Sequence, residues 1–127
     1  MPKLSIVVPV YYNEDNLRPL YADLKEKLLD LDNPFDVEIV MVDDRSYQVM
    51  EELKAQDERI HIYHLSRNFG SDAAVLCGLV QSTGDCAVVK CADLQEPTEM
   101  IYDMYEKWAE GNNVVLAVRE GREEGRM

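Results

Sequence analysis

Apolar residues along this chain keep two different rhythms. Largely apolar runs, interrupted only by Ser5, Glu38 and Lys90, recur at Leu4–Val8, Val37–Val42, Cys86–Cys91 and Val114–Val118. Each is short, and most are rich in β-branched residues, which is the pattern of a strand buried on both faces. Ile60–Leu65 alternates apolar residues with His61 and His64 and reads as another strand. Between these runs the spacing changes to three and four. Glu14–Leu31 carries Leu17, Leu20, Tyr21, Leu24, Leu28 and Leu31 on one face of a helix. Tyr47–Gln56 does the same with Val49, Met50 and Leu53, and Pro97–Glu110 with Met100, Ile101, Met104, Tyr105 and Trp108. Asp72–Val80 is rich in small residues (Ala73, Ala74, Gly78), which suits close packing of a helix on a sheet. Asp32-Asn33-Pro34, Gly84 and Gly111-Asn112-Asn113 supply the breaks.

Five strand-like runs separated by helical ones predict an α/β fold, a mostly parallel sheet with helices on both faces. Right-handed crossovers then bring every strand's carboxyl end to one edge, where α/β proteins bind ligands. That edge collects the polar loops Tyr11–Glu14, Asp43–Ser46, Ser66–Gly70 and Asp93–Glu96, together with Arg119. The stretch from Ala87 to Pro97 is the focus. A buried strand runs into the oxygen-bearing side chains of Asp93, Gln95 and Glu96, which suit a hard divalent cation that neutralises a diphosphate.

Composition narrows the partners. The 127 residues suit one domain with a real core. A formal charge of −12 argues against a binder of nucleic-acid phosphates and against an anionic lipid surface. A nucleotide remains compatible, because a metal can bridge carboxylates and phosphate. The three cysteines, Cys77, Cys86 and Cys91, form no C-x-x-C pair and read as buried thiols of a reducing compartment. The first apolar run is too short for a signal peptide, and no run approaches the length of a bilayer span. These features place the chain in the cytoplasm. The charged tail after Val118 carries no stop signal, and the chain reads as the first half of something longer.

Several stretches carry a resemblance. Ser5-Ile6-Val7-Val8-Pro9-Val10-Tyr11, followed by Asn13-Glu14 and Asn16-Leu17, resembles the opening of a family 2 glycosyltransferase, and Val42-Asp43-Asp44-Arg45-Ser46 is similar to its V-D-D-G-S. Leu65-Ser66-Arg67-Asn68-Phe69-Gly70 with Ala73-Ala74, then Thr83-Gly84-Asp85, resembles the branch acting on polyprenyl phosphates, which includes dolichyl-phosphate mannosyltransferase. Ala92-Asp93-Leu94-Gln95-Glu96-Pro97 is similar to that branch's D-A-D-L-Q-D-P, and Val114–Arg119 with Arg122 to its V-V-x-G-x-R-x-x-R. These matches stand in order over essentially the whole chain.

The resemblance implies a GT-A (Rossmann-like) nucleotide-diphosphosugar transferase fold. Residues 1–127 would form the nucleotide-sugar-binding part, with the acceptor-side half and its catalytic residues beyond this chain. By the same resemblance, Pro9, Tyr11 and Glu14 line the nucleotide pocket, and Asp43 accepts the imino hydrogen of the base with Asp44 close by. Asp93 ligates Mg²⁺ or Mn²⁺, Gln95 lies near the metal and the sugar diphosphate, and Arg119, with Arg122 behind it, meets phosphate charge. The implied activity is hexosyl transfer from UDP- or GDP-sugar to a polyprenyl phosphate at the cytoplasmic membrane face, any membrane attachment coming from segments outside this chain. The fragment alone is expected to bind donor without turnover.

Three positions depart from the family pattern. Cys91 replaces the first aspartate of the metal motif, Arg45 replaces the glycine of V-D-D-G-S, and Tyr12 lengthens the opening motif by one residue. These departures keep a second reading open, a non-catalytic or degenerate nucleotide-sugar-binding or interaction module. A phosphoacceptor receiver would carry its acidic pair after the first strand, whereas this pair follows the second. A nucleotidyltransferase would show a glycine-rich loop near the first strand, which is missing. His61 and His64 are read as structural. Self-association through an exposed sheet edge or apolar face is a further expectation.

Overall fold

The computed structural model describes residues 2–10, 16–33, 35–43, 48–65, 71–90 and 100–111. In chain order the elements are β1 (Lys3–Val10), α1 (Leu17–Leu24), β2 (Asp36–Asp43), α2 (Gln48–Gln56), β3 (Ile60–His64), α3 (Ser71–Gln81), β4 (Cys86–Val89) and α4 (Met100–Ala109). The four strands pair in the order β3-β2-β1-β4, all parallel. The alternation read from the sequence is therefore the architecture, and the helices cover both faces. The fifth run, Val114–Val118, lies outside the described residues.

Strand parity sorts the core into two layers. Leu4, Ile6, Val8, Val10, Ile39, Met41 and Ile60 pack against Leu17, Leu20 and Leu24 of α1, Met50 and Leu53 of α2, and Ile101 of α4. On the other face Val7, Val40 and Val42 pack against Ala74 of α3. Here the small residues matter: a Cβ on Gly78 would collide with Val7 Cγ1, so glycine sets how closely α3 approaches the sheet.

The predicted first helix runs into a wider π-type turn at Lys25–Leu29, closed by Asp30 N donating to Lys25 O at 2.9 Å. The extra residue in that turn rotates the apolar face. Leu28 and Leu29 go inward, and Leu31, expected on the buried stripe, is 51% exposed. Of the stripe expected on α4, Ile101 is buried and Tyr105 packs on the core, joined there by Tyr102, while Met100, Met104 and Trp108 stay half-buried. Phe35 stacks against Tyr105 and Tyr102 at centroid distances of 4.5 and 6.0 Å, and Gly111 ends the helix with φ +111°. Cys77 and Cys86 pack against the two core layers as free thiols, half-buried rather than fully inside.

Pro9 sits inside a central strand without breaking it. Odd residues of β1 turn their backbone groups toward β4: Asp85 N donates to Lys3 O at 2.7 Å and Lys90 N to Val7 O at 2.8 Å. The donor that Pro9 lacks would point to that side, beyond the last β1–β4 pair at Val7 and Val89. The ladder to β2 continues to Val10 and Asp43.

Candidate functional site

The strand order reverses beside β1. The chain steps from β1 to β2 to β3, then crosses back under α3 to β4 on the other side of β1. Crevices for ligands open at the carboxyl ends of strands next to such a reversal. At this edge the register brings Val10, Asp43 and His64 into one row across β1, β2 and β3. Leu65 N donates to Asp43 O at 2.7 Å and locks the last residues of β2 and β3 together.

Asp43 is fully buried. Its Oδ1 lies 2.5 Å from Nδ1 of His64, whose side chain is 41% exposed. With a carboxylate as acceptor, Nδ1 is the nitrogen that carries hydrogen in this contact. On the outer side of the ring, Nε2 is 3.9 Å from Oε2 of Glu51 on α2, beyond direct hydrogen-bonding distance. Parity explains the meeting: His64 shares its face with Ile60 and Ile62, whereas His61 points to the α3 face. His64, read from the sequence as structural, is thus the partner of a candidate site residue that the sequence reading missed. The signal was its place as the last residue of β3, in register with the acidic end of β2.

Pro9, expected in the turn after a strand ending at Val8, lies instead within β1, buried beside Val10 at the strand's carboxyl end. Tyr11, Glu14, Asp44, Asp93, Gln95 and Arg119 lie outside the described residues, as do Arg45, Cys91 and Arg122. Of the expected pocket residues, the structure describes Pro9 and Asp43 at the same sheet edge but on opposite strand phases, Pro9 paired with Val42 and Asp43 with Val10 and His64. Lys90, just after β4, is buried at the same edge, its N bonded to Val7 O. No cluster of three metal-ligating side chains occurs among the described residues. A separate cavity between β4 and α4 is lined by Asp85, Cys86, Val88, Ile101, Tyr105 and Trp108, and Asp43 is not among its lining residues.

The opposite edge of the sheet is built differently. Glu38, third in β2, is buried, accepts from Ser5 Oγ at 2.5 Å, from Thr83 N at 2.7 Å and from Thr83 Oγ1 at 3.0 Å, and has Lys3 Nζ at 3.5 Å. Burial alone would raise its pKa; the bonds from Ser5 and Thr83, helped by Lys3, outweigh it and hold the carboxyl below its ordinary value. Beside the start of β3, Asp57 takes a fork from Arg59 (2.8 and 2.7 Å) and a bond from Tyr21 at 2.9 Å. The Arg59 guanidinium leads in lowering Asp57 to about 2.

Comparison with known proteins adds to this geometry. Residues 5–126 match the profile described as glycosyl transferase family 2. The chain is 41% identical over 122 residues to an uncharacterized glycosyltransferase of Bacillus subtilis, covering 93% of this chain and 37% of that protein. It is 36% identical over 130 residues to a bactoprenol glucosyl transferase of Shigella phage SfX, covering 98% of this chain and 42% of that protein. The chain thus spans about two fifths of the length of these relatives. Among solved structures it superposes on a mannosyltransferase of Pyrobaculum calidifontis in complex with GDP-Man and Mn²⁺, with a TM-score of 0.72 and 19% identity, over 98% of this chain and 38% of that one. That likeness establishes the GT-A fold.

Proposed function

The chain belongs to glycosyl transferase family 2, and from that premise we propose that its carboxyl sheet edge is the donor half-site of a hexosyltransferase using a nucleotide diphosphosugar. The observation that carries this reading is the buried Asp43, placed with Pro9 beside the strand-order reversal and held in register with His64. A carboxylate costs free energy to bury, and one kept at a binding edge rather than in the fold's polar clamps has a task there.

The donor-side roles follow the family pattern. Pro9, Tyr11, Glu14, Asp43 and Asp44 surround the base and ribose, and Gln95 and Arg119 face the diphosphate. Arg119 is a fixed cation where negative charge accumulates on the leaving group. Asp93, Gln95 and Glu96 form an oxygen donor set that fits a hard divalent ion. Such an ion, when bound, neutralises the diphosphate, and Mn²⁺ accompanies GDP-Man in the mannosyltransferase of similar fold. The acceptor of the whole protein is a polyprenyl phosphate, by analogy with the bactoprenol glucosyl transferase. This acceptor is already ionised and needs less help from a general base. Its lipid tail places the reaction at the cytoplasmic membrane face, with any anchor supplied by other segments. No helix among the described residues is long and apolar enough to cross a membrane.

Cys91 favours one second reading. A thiol is a poor partner for Mg²⁺, so a chain with cysteine at the motif's first position can bind donor without turning it over. The two readings separate in a transfer assay. The full-length polypeptide, given Mn²⁺, labelled UDP-glucose or GDP-mannose and undecaprenyl phosphate, should form lipid-linked sugar, and Asp93→Ala should lower the rate at least a hundredfold. Donor binding without product would leave the binding module.

A further inference from the structure

Two constraints act on Asp43, one on its backbone and one on its carboxylate. The strand ladder sets the backbone: Val10 and His64 flank it in register, and Leu65 N donates to its carbonyl oxygen at 2.7 Å. The ladder does not set the carboxylate, because the terminal torsion of an aspartate is broad and close to two-fold. The imidazole of His64 supplies that second constraint, with Nδ1 at 2.5 Å from Oδ1. We infer that His64 is a positioning residue for nucleotide recognition: it holds Oδ1 so that Oδ2 of Asp43 is presented to the imino hydrogen of the base. This rests on the donor-site reading above.

The contact is not needed to join the strands. Pairing of β2 with β3 runs from Ile39 and Ile60 to Asp43 and His64, and the Leu65 amide extends it past the ring. What the ring adds is direction at a carboxylate with no exposed surface. Burial strengthens a bond to a charged acceptor and raises the cost of losing it. An acceptor whose torsion is already ordered binds its ligand better, because that ordering is not charged against binding. Glu51 of α2 approaches the other ring nitrogen, 3.9 Å from Nε2, and so does not compete for the Nδ1 hydrogen. Nδ1 carries hydrogen in this contact whether or not Nε2 does, so positioning asks nothing of Nε2.

The test pairs two substitutions at one position. His64→Phe keeps a ring of similar shape and removes the donor. His64→Asn discards the ring but puts an amide N–H near the place of Nδ1, since both nitrogens are bonded to Cγ. Each full-length polypeptide is titrated by calorimetry, in the presence of Mn²⁺, with UDP, GDP and their N3-methyl and N1-methyl counterparts, which lack the imino hydrogen. Thermal melts restrict the comparison to folded protein, and His64→Leu replaces His64→Phe should the latter not fold. Wild type should prefer an unmethylated nucleotide to its methylated counterpart about tenfold. His64→Phe should bind that nucleotide about tenfold more weakly and lose most of the preference, and His64→Asn should recover both to within about threefold of wild type. A folded His64→Phe that binds and discriminates as wild type does would overturn the inference, as would a folded His64→Asn that does no better than His64→Phe. Wild type that binds nucleotide but ignores methylation would overturn it as well, leaving the donor site standing. Folded wild type that binds neither nucleotide would overturn both.

Discussion

The two edges of this sheet each bury a carboxylate from β2, and they do opposite things with it. At the amino edge, Glu38 receives bonds from Ser5 and from the backbone and hydroxyl of Thr83, so its contacts tie β1, β2 and the turn before β4 together. Gly84 N donates to Ser5 Oγ at 2.9 Å in the same cluster, and a Cβ on Gly84 would lie 2.5 Å from that oxygen. Asp57 and Arg59 form a second clamp at this edge, joining the start of β3 through Tyr21 to α1. At the carboxyl edge, Asp43 is just as buried but faces a half-exposed imidazole. The first arrangement spends its carboxylates on holding strands in register. The second keeps its carboxylate and that ring at the edge where α/β proteins bind ligands.

The contrast is broken most strongly at Glu38. Glu38→Ala strands the buried Ser5 hydroxyl and Thr83 amide and should cost about 3 kcal/mol of stability in urea unfolding. Nucleotide affinity of the protein that remains folded should be unchanged. Asp43→Ala should reverse that pattern, lowering nucleotide affinity tenfold or more while the unfolding midpoint moves less than in Glu38→Ala.

Acid sharpens the same division. The pKa of Asp57 is depressed in the folded state, so its contribution is complete above the ordinary range near 3.8 and is lost as pH falls toward about 2. That contribution is on the order of 2 kcal/mol. Glu38, lowered as well, adds a loss of the same sign below its ordinary 4.5. Asp57→Asn should therefore flatten the acid limb of stability against pH without altering nucleotide binding at neutral pH. The smallest effect is expected on the α3 face. Gly78→Ala pushes the helix off Val7 and should cost about 1–2 kcal/mol, read as a lower melting temperature.

Much of the fold was legible in the sequence because burial dictates it. Apart from Glu38, a run such as Val37–Val42 is apolar on both phases, so it is a strand with helices on both sides. The small residues of α3 announced a close approach, and Ala74 and Gly78 make it. Leu31 was misplaced because a π-type turn shifts phase without a sequence signal of its own. The site was legible in its motifs and in the edge where they converge, and Asp43 stands at that edge. The partner of Asp43 was not legible. His64 becomes meaningful only when β2 and β3 are paired in register, and pairing joins residues 21 positions apart. The clamp of Ser5, Glu38 and Thr83 escaped notice for the same reason.

The central claim is that the carboxyl edge, and not the amino edge, meets a nucleotide. The direct measurement is calorimetric titration of UDP and GDP, with and without Mn²⁺, into wild type, Asp43→Ala and Glu38→Gln. Metal-dependent binding that favours one base, lost in Asp43→Ala and kept in folded Glu38→Gln, is the predicted result. Binding of neither nucleotide by folded wild type, or binding that Asp43→Ala leaves intact, would contradict it.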